Sequence, residues 1–194
     1  MTKTDLRIAE LLAEDRAAVE RLAGREHQQT LAEMAHLLIA TLAAARRVYV
    51  CGNGGSAADA QHIAGELAGR FRRQRRALPC VALTTDTSVL TAVGNDLDFE
   101  SVFSRQVEAL GQQGDVLWAL STSGNSPNIL AAAHAARLRG MKVLAMTGHG
   151  GGKLAELADL CLRAPAERTD LIQLLHQGAY HILCELVDEH FAVG

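Results

Sequence analysis

Val48-Tyr49-Val50-Cys51-Gly52-Asn53-Gly54-Gly55-Ser56 is a run of four apolar residues that enters a glycine turn, with a helical pattern from about 57 to 69 behind it. A short, continuously apolar run reads as a strand buried on both faces. The glycines read as the turn, and Ser56 suits the cap of the following helix. The same strand–turn–helix pattern repeats downstream. Pro79 to Leu83 reads as a second strand, with helical stretches near 87–93 and 99–110. Asp115 to Leu120 is a third, followed by Ser121-Thr122-Ser123-Gly124-Asn125-Ser126 and a helix that runs to about Gly140. Pro127 suits the first position of that helix, with Ser126 as its cap. Lys142 to Met146 is a fourth strand, ending at Thr147-Gly148, and a short helix follows Gly152. Leu160 to Leu162 is a brief fifth, and a long helix covers about 169–191. Buried strands alternating with helices predict an α/β fold: one five-stranded parallel sheet flanked by helices in three layers, Rossmann-like or flavodoxin-like.

Upstream of the first strand, apolar residues at helical spacing mark helices over about 4–23 and 28–45. Two helices before any strand exceed what one small sheet buries, so at least one is expected to pack on a neighbouring subunit. Residues 1–45 are therefore read as a helical pair for oligomer packing and 46–194 as the sheet domain. The chain has 194 residues, 48% of them hydrophobic and 21% charged, which excludes a disordered or collagenous protein. A chain of this length buries roughly 70% of its unfolded surface without staples. The net charge of −3 argues against a nucleic-acid-binding surface. No apolar run reaches the ~18 residues of a membrane span. The charged N-terminal stretch lacks the apolar segment of a signal peptide, so a cytoplasmic location is expected. Cys51, Cys80, Cys161 and Cys184 form no Cys-x-x-Cys pair and are read as reduced, buried residues.

Four constellations are candidates for chemistry. The loops Gly52–Ser56 and Ser121–Ser126 each follow a strand and open a helix, where free N–H groups and the dipole attract phosphate. The second loop has four hydroxyls in six residues and no cation. It suits a single sugar phosphate, or it is an ordinary capped connection; it lacks the Walker lysine. His62 and Glu66 stand four apart on one helix face. Such a pair holds a metal, presents a general base, or is a solvated surface contact. Gln173 and His181, eight apart on the last helix, project to broadly similar sides, and they or His176 are otherwise polar edge residues. The segment Arg70-Phe71-Arg72-Arg73-Gln74-Arg75-Arg76 reads as a solvated loop. Arg70, four residues after Glu66, is its best functional candidate.

Cys51 to Glu66, Val93-Gly94-Asn95-Asp96, Phe103 to Gln106, Gly114-Asp115-Val116 and Ser121 to Ser126, taken in order, resemble the bacterial phosphoheptose isomerases, which belong to the SIS (sugar isomerase) fold group. The resemblance covers essentially the whole chain. It implies a single SIS domain and conversion of sedoheptulose 7-phosphate to D-glycero-D-manno-heptose 7-phosphate, an early step toward lipopolysaccharide or other glycan heptose. It also implies a homotetramer with active sites between subunits, and one zinc ion per subunit. Carried onto this sequence, the catalytic pair is Glu66 and His181, and the metal ligands are His62, Glu66, Gln173 and His181. Substrate contacts are expected from Asn53, Gly54, Gly55, Ser56, Glu66, Arg70, Asn95, Asp96, Ser121, Thr122, Ser123, Ser126 and Gln173.

The last helix departs from the resemblance. Many members carry arginine and glutamate where this chain has Leu171 and Leu174. Two other readings belong to different classes: a non-catalytic SIS protein that binds a replication-initiator-type partner, and a sugar-phosphate sensor. The first lacks the glutamate and histidine retained here as Glu66 and His181. The second needs the serine loop alone.

Overall fold

The computed structural model describes residues 1–193. Its centre is a five-stranded, all-parallel sheet in the order β2-β1-β3-β4-β5. The strands are β1 (Val48–Cys51), β2 (Cys80–Ala82), β3 (Val116–Ser121), β4 (Lys142–Thr147) and β5 (Leu160–Arg163). All residues of β1 and β3 are buried, as a strand covered on both faces requires.

Alternation along the strands divides the core in two. Val48, Val50, Val116, Trp118, Leu144 and Met146 face one way, onto α2 (Arg25–Ala43), α3 (Gly55–Ala68) and α8 (Thr169–Phe191). Tyr49, Cys51, Leu117, Ala119, Val143 and Ala145 face the other, onto α5 (Ser104–Leu110), α6 (Pro127–Leu138) and α7 (Gly152–Leu157). The period of two in a strand makes this division automatic. The expected three layers and five parallel strands are both present.

The first two helices differ in burial. Helix α2 contributes Leu31, Met34, Leu38 and Leu42 to the core, whereas α1 (Lys3–Leu22) buries only Ala18 and Leu22. Leu6, Ile8, Leu12 and Val19 of α1 are exposed. Helix α4 (Thr87–Asp96) has no buried residue, and the stretch read as one helix near 99–110 is a 3-10 turn, Phe99–Ser101, followed by α5.

One of the two serine caps is corrected by the structure. Helix α3 begins at Gly55, so Ser56 lies inside it and Gly54 is the cap, with φ +55° and ψ −120°. Glycine adopts that backbone without the Cβ clash that excludes other residues. Ser126 does occupy the cap position of α6, but its side chain does not bond the helix. Its Oγ lies 3.1 Å from Ser121 Oγ instead.

The arginine segment is also corrected. It is a strap bound to α8 and α2, with Arg73 on Glu185 and Glu189, Arg75 on Asp188, and Arg76 donating to the Leu42 carbonyl. Arg70 is not on the Glu66 face of a helix, because α3 stops at Ala68 and Arg70 lies exposed beyond it. The cysteines are free, with Cys51, Cys80 and Cys184 buried. Burial pushes the thiols of Cys51 and Cys184 up to about 12, so they stay protonated and inert. Among the described residues, no helix is long and apolar enough to cross a membrane.

Candidate active site

The strand order reverses between β1 and β3, and a crevice opens at their carboxyl ends. In open α/β sheets this switch point is where ligands bind. The crevice has a volume of about 330 Å³. The β1 loop supplies Asn53, Gly54, Gly55 and Ser56; the β3 loop supplies Ser121, Thr122 and Ser126; α8 supplies Thr169 and Gln173. Helices α3, α6 and α8 all start here, and no Lys or Arg lines it. Three helix N-termini therefore face one space, and their dipoles stabilise an anion without a side-chain cation.

The loops are fixed from behind. Asn53 and Asn128 exchange two amide hydrogen bonds, Asn53 Nδ2 donating to Asn128 Oδ1 at 2.8 Å and Asn128 Nδ2 to Asn53 Oδ1 at 2.9 Å. Asn128 is buried, so this pair ties the glycine turn to the first turn of α6. The Gln173 amide lies over Gly55 so closely that a Cβ there would stand 2.5 Å from Nε2.

The second group lies further along α3. Gly55, Asp59, His62 and Glu66 follow one another at +4, +3 and +4, one face of a helix. That face meets α8 at Tyr180 and His181. His62 Nε2 lies 3.0 Å from Glu66 Oε1 and 3.4 Å from His181 Nε2. The three donor atoms lie within 4.8 Å of one another, and theirs is the one such cluster of His, Cys, Asp or Glu among the described residues. A tetrahedral zinc site with bonds of ~2.0–2.1 Å separates its ligand atoms by roughly 3.3–3.4 Å. The donor set, two imidazoles and a carboxylate at these separations, fits a divalent metal.

Partners behind the group orient it. Tyr180 Oη is 2.9 Å from His62 Nδ1, and the Tyr180 hydroxyl donates to Asp59 Oδ1 at 3.3 Å. With the proton on Nδ1 and donated to Tyr180, the His62 Nε2 lone pair faces Glu66 and His181. Burial raises the pKa of both Asp59 and Tyr180, and the Asp59 charge adds to the effect on Tyr180. His181 stacks on Phe71 with ring centroids 5.8 Å apart. Its pKa is lowered, first by burial and next by His62, with Glu66 opposing and Arg72 adding to the fall. It is a neutral imidazole at pH 7, ready to accept a proton.

Of the residues singled out in the sequence, His62, Glu66 and His181 come together, as do Asn53, Gly54, Gly55, Ser56, Ser121, Thr122, Ser126 and Gln173 around the crevice. Gln173 stands with the crevice; His62 is seven residues, about 10 Å, along α3 from Gly55. Ser123 is exposed, and its Oγ accepts from the Asn125 N–H. Asn95 and Asp96 bond each other at the exposed end of α4. Neither they nor Arg70 line the crevice of this chain. Asp59, Tyr180, Phe71 and Arg72 escaped the sequence reading. Asp59, three residues before His62 on the same face, was the one with a visible signal.

A crevice at the switch point of a 2-1-3-4-5 parallel sheet, with a serine loop and helix N-termini but no basic side chain, defines a SIS-type sugar-phosphate domain, and the SIS domain family model matches residues 12–148. The chain is 57% identical over 159 residues to a phosphoheptose isomerase of Rhodospirillum rubrum, covering 82% of this chain and 85% of that one. It is 50% identical over 188 residues to that of Desulfovibrio desulfuricans, covering 97% and 90%. The structure of a phosphoheptose isomerase from Neisseria gonorrhoeae superposes with a TM-score of 0.90 at 43% identity, covering 96% of this chain and all of that one. The chain belongs to the phosphoheptose isomerase family.

Proposed function

We propose that this chain isomerises sedoheptulose 7-phosphate to D-glycero-D-manno-heptose 7-phosphate through an enediol, supplying heptose for lipopolysaccharide or related glycans. The observation that carries the mechanism is the juxtaposition of Glu66 and His181 at a fixed distance from an anion crevice. A seven-carbon chain with ~1.5 Å bonds and a terminal phosphate extends roughly 10 Å. That matches the seven residues of α3 between Gly55 and His62. A phosphate seated on the serine loop and the N-terminus of α3 thus brings C1 and C2 to the Glu66–His181 end.

Aldose–ketose isomerisation moves one proton between C1 and C2 and another between their oxygens. Glu66 and His181 form the acid/base pair, one for each transfer, and neutral His181 is in the protonation state a base needs. Asp59 and Tyr180 hold His62, and through it the geometry of the pair. Of the expected ligands, His62, Glu66 and His181 are proposed to hold one zinc ion per subunit; Gln173 of the same chain, eight residues and about 12 Å along α8 from His181, lies at the crevice instead. When bound, the ion polarises the carbonyl and stabilises negative charge on oxygen. A lone pair held by the ion would not be free for a proton, so the metal and base roles would compete for Glu66 and His181.

We also propose a homotetramer with the site completed between subunits, and a cytoplasmic location. The exposed Leu6, Ile8, Leu12 and Val19 of α1 support assembly, as do Leu174, Ile182 and Leu186 along α8. Leu174 stands where an acidic residue is common in the family, and a leucine there suits burial against a neighbour. Leu171 packs partly against the core of its own chain. Residues 1–45 would serve as the assembly region, chiefly through α1, with Arg70, Asn95, Asp96 and Ser123 reaching substrate across the contact. The purified protein with sedoheptulose 7-phosphate, followed by NMR, tests the activity. Its mass by light scattering tests the assembly.

A further inference from the structure

We infer that the buried Arg75–Asp188 pair is a positioning device for the acid/base pair, setting Glu66 against His181. The inference rests on the proposed role of Glu66. Glu66 sits in the last turn of α3, which ends at Ala68. The last four carbonyls of a helix have no partner within it, and an end without one frays. Here Gly65 is served by the Gly69 N–H at 2.9 Å. One side chain reaches both of the next two carbonyls, alone at Glu66 and beside the Leu78 N–H, 3.2 Å away, at Leu67. Arg75 Nη2 donates to Glu66 O at 2.6 Å and Nη1 to Leu67 O at 3.0 Å. Nη1 also donates to Arg76 O at 2.9 Å. A guanidinium at a helix C-terminus complements the dipole as well as the lone pairs.

The remaining donor ties this cap to the other half of the site. Arg75 Nε donates to Asp188 Oδ1 at 2.7 Å, with both side chains fully buried. The second oxygen, Asp188 Oδ2, accepts from the backbone N–H groups of Arg72 and Arg73 at 3.0 and 2.7 Å. Asp188 lies on α8 seven residues after His181, two turns along the same helix. One bonded path therefore runs from the backbone of Glu66, through Arg75 and Asp188, to the helix that carries His181. The same carboxylate fixes the start of the strap whose Phe71 stacks on the His181 ring. A lysine at 75 keeps the charge but is a point donor, without the planar fork that reaches two helix carbonyls and a carboxylate together.

The test uses the full-length protein and the variants Arg75→Lys, Arg75→Ala and Asp188→Asn. Arg73→Ala is the control, since it removes side-chain ion pairs to Glu185, Glu189 and, at 3.8 Å, Asp188, but keeps the Arg73 N–H bond to Asp188 and touches no bond to the Glu66 carbonyl. kcat and KM for sedoheptulose 7-phosphate are measured beside the thermal midpoint. Misplacing a reacting group by an ångström costs roughly 10²-fold. kcat of Arg75→Lys and Asp188→Asn should fall by about that factor, with KM changed by less than about twofold because the phosphate crevice lies at the other end of α3. Arg73→Ala should keep wild-type kcat, and free guanidinium should restore part of the kcat of Arg75→Ala. The inference alone is overturned if wild type turns over and both conservative variants match it. It is overturned equally if their kcat falls only with the folded fraction and guanidinium restores nothing. A folded wild type without turnover overturns the reading of Glu66 and this inference with it.

Discussion

His176 makes the stability of the protein depend on pH in a window set by one side chain. It is fully buried on α8, with Nε2 3.0 Å from the Thr147 carbonyl at the end of β4 and Nδ1 buried without a partner. Burial holds its pKa down to about 4, against the opposing hydrogen bond to Thr147. The neutral ring donates Nε2–H to that carbonyl. The unfolded chain regains the ordinary value near 6.5, so between about 6.5 and 4 it binds more protons than the folded one. Stability is therefore fully present above about pH 6.5 and is lost as the pH falls toward 4. The whole window is about 3 kcal/mol, and the step from pH 7 to pH 5 is about 2 kcal/mol. His176→Gln removes the titration while leaving an amide to donate to Thr147. Urea unfolding of both proteins, followed by the fluorescence of the single, buried Trp118, isolates the effect. The stability difference, wild type minus variant, should fall by about 2 kcal/mol between pH 7 and pH 5. A difference that stays constant, or grows as the pH falls, would refute the argument.

Three further outcomes are expected. Gly124 has φ +65°, and a Cβ there would stand 2.0 Å from the Gly151 carbonyl oxygen; Gly124→Ala should lower stability by at least about 2 kcal/mol in thermal melts. Gly55→Ala meets only the movable Gln173 amide, so it should raise KM by about tenfold, the cost of one displaced hydrogen bond, with the melting temperature nearly unchanged. Zinc should raise the melting temperature of wild type, as any ligand that binds only the folded state does; His62→Ala should abolish that rise, and an equal rise in the variant would remove His62 from the ligand set.

The parts of this fold that were legible are those written in contiguous sequence. The β1 and β3 runs, the glycine turn and the serine loop each state their own conformation, and the parallel topology follows from their alternation with helices. The His62–Glu66 pair was legible for the same reason, since four residues on a helix fix a shared face. What failed depends on partners far along the chain. Arg75 looked like one more solvated cation because Asp188 lies 113 residues away. Ser126 does stand at the cap of α6, but nothing nearby announces that its hydroxyl bonds Ser121 instead of the helix. Gln173 and His181 share a side of α8, but eight residues are about 12 Å, so one attends the crevice and the other the triad. Arg70 shares the Glu66 face only if α3 continues past 69, and Gly69 ends it.

The central claim is that Glu66 and His181 carry proton transfer on a heptulose phosphate anchored at the serine loop. Wild type and Glu66→Gln, both shown to be folded, are incubated with sedoheptulose 7-phosphate in D₂O and followed by NMR, with and without zinc. Wild type should form the aldoheptose phosphate, and Glu66→Gln should be slower by at least about 10²-fold, the contribution of a well-placed acid or base. No product from folded wild type in either condition, or a Glu66→Gln rate within tenfold of it, would contradict the account.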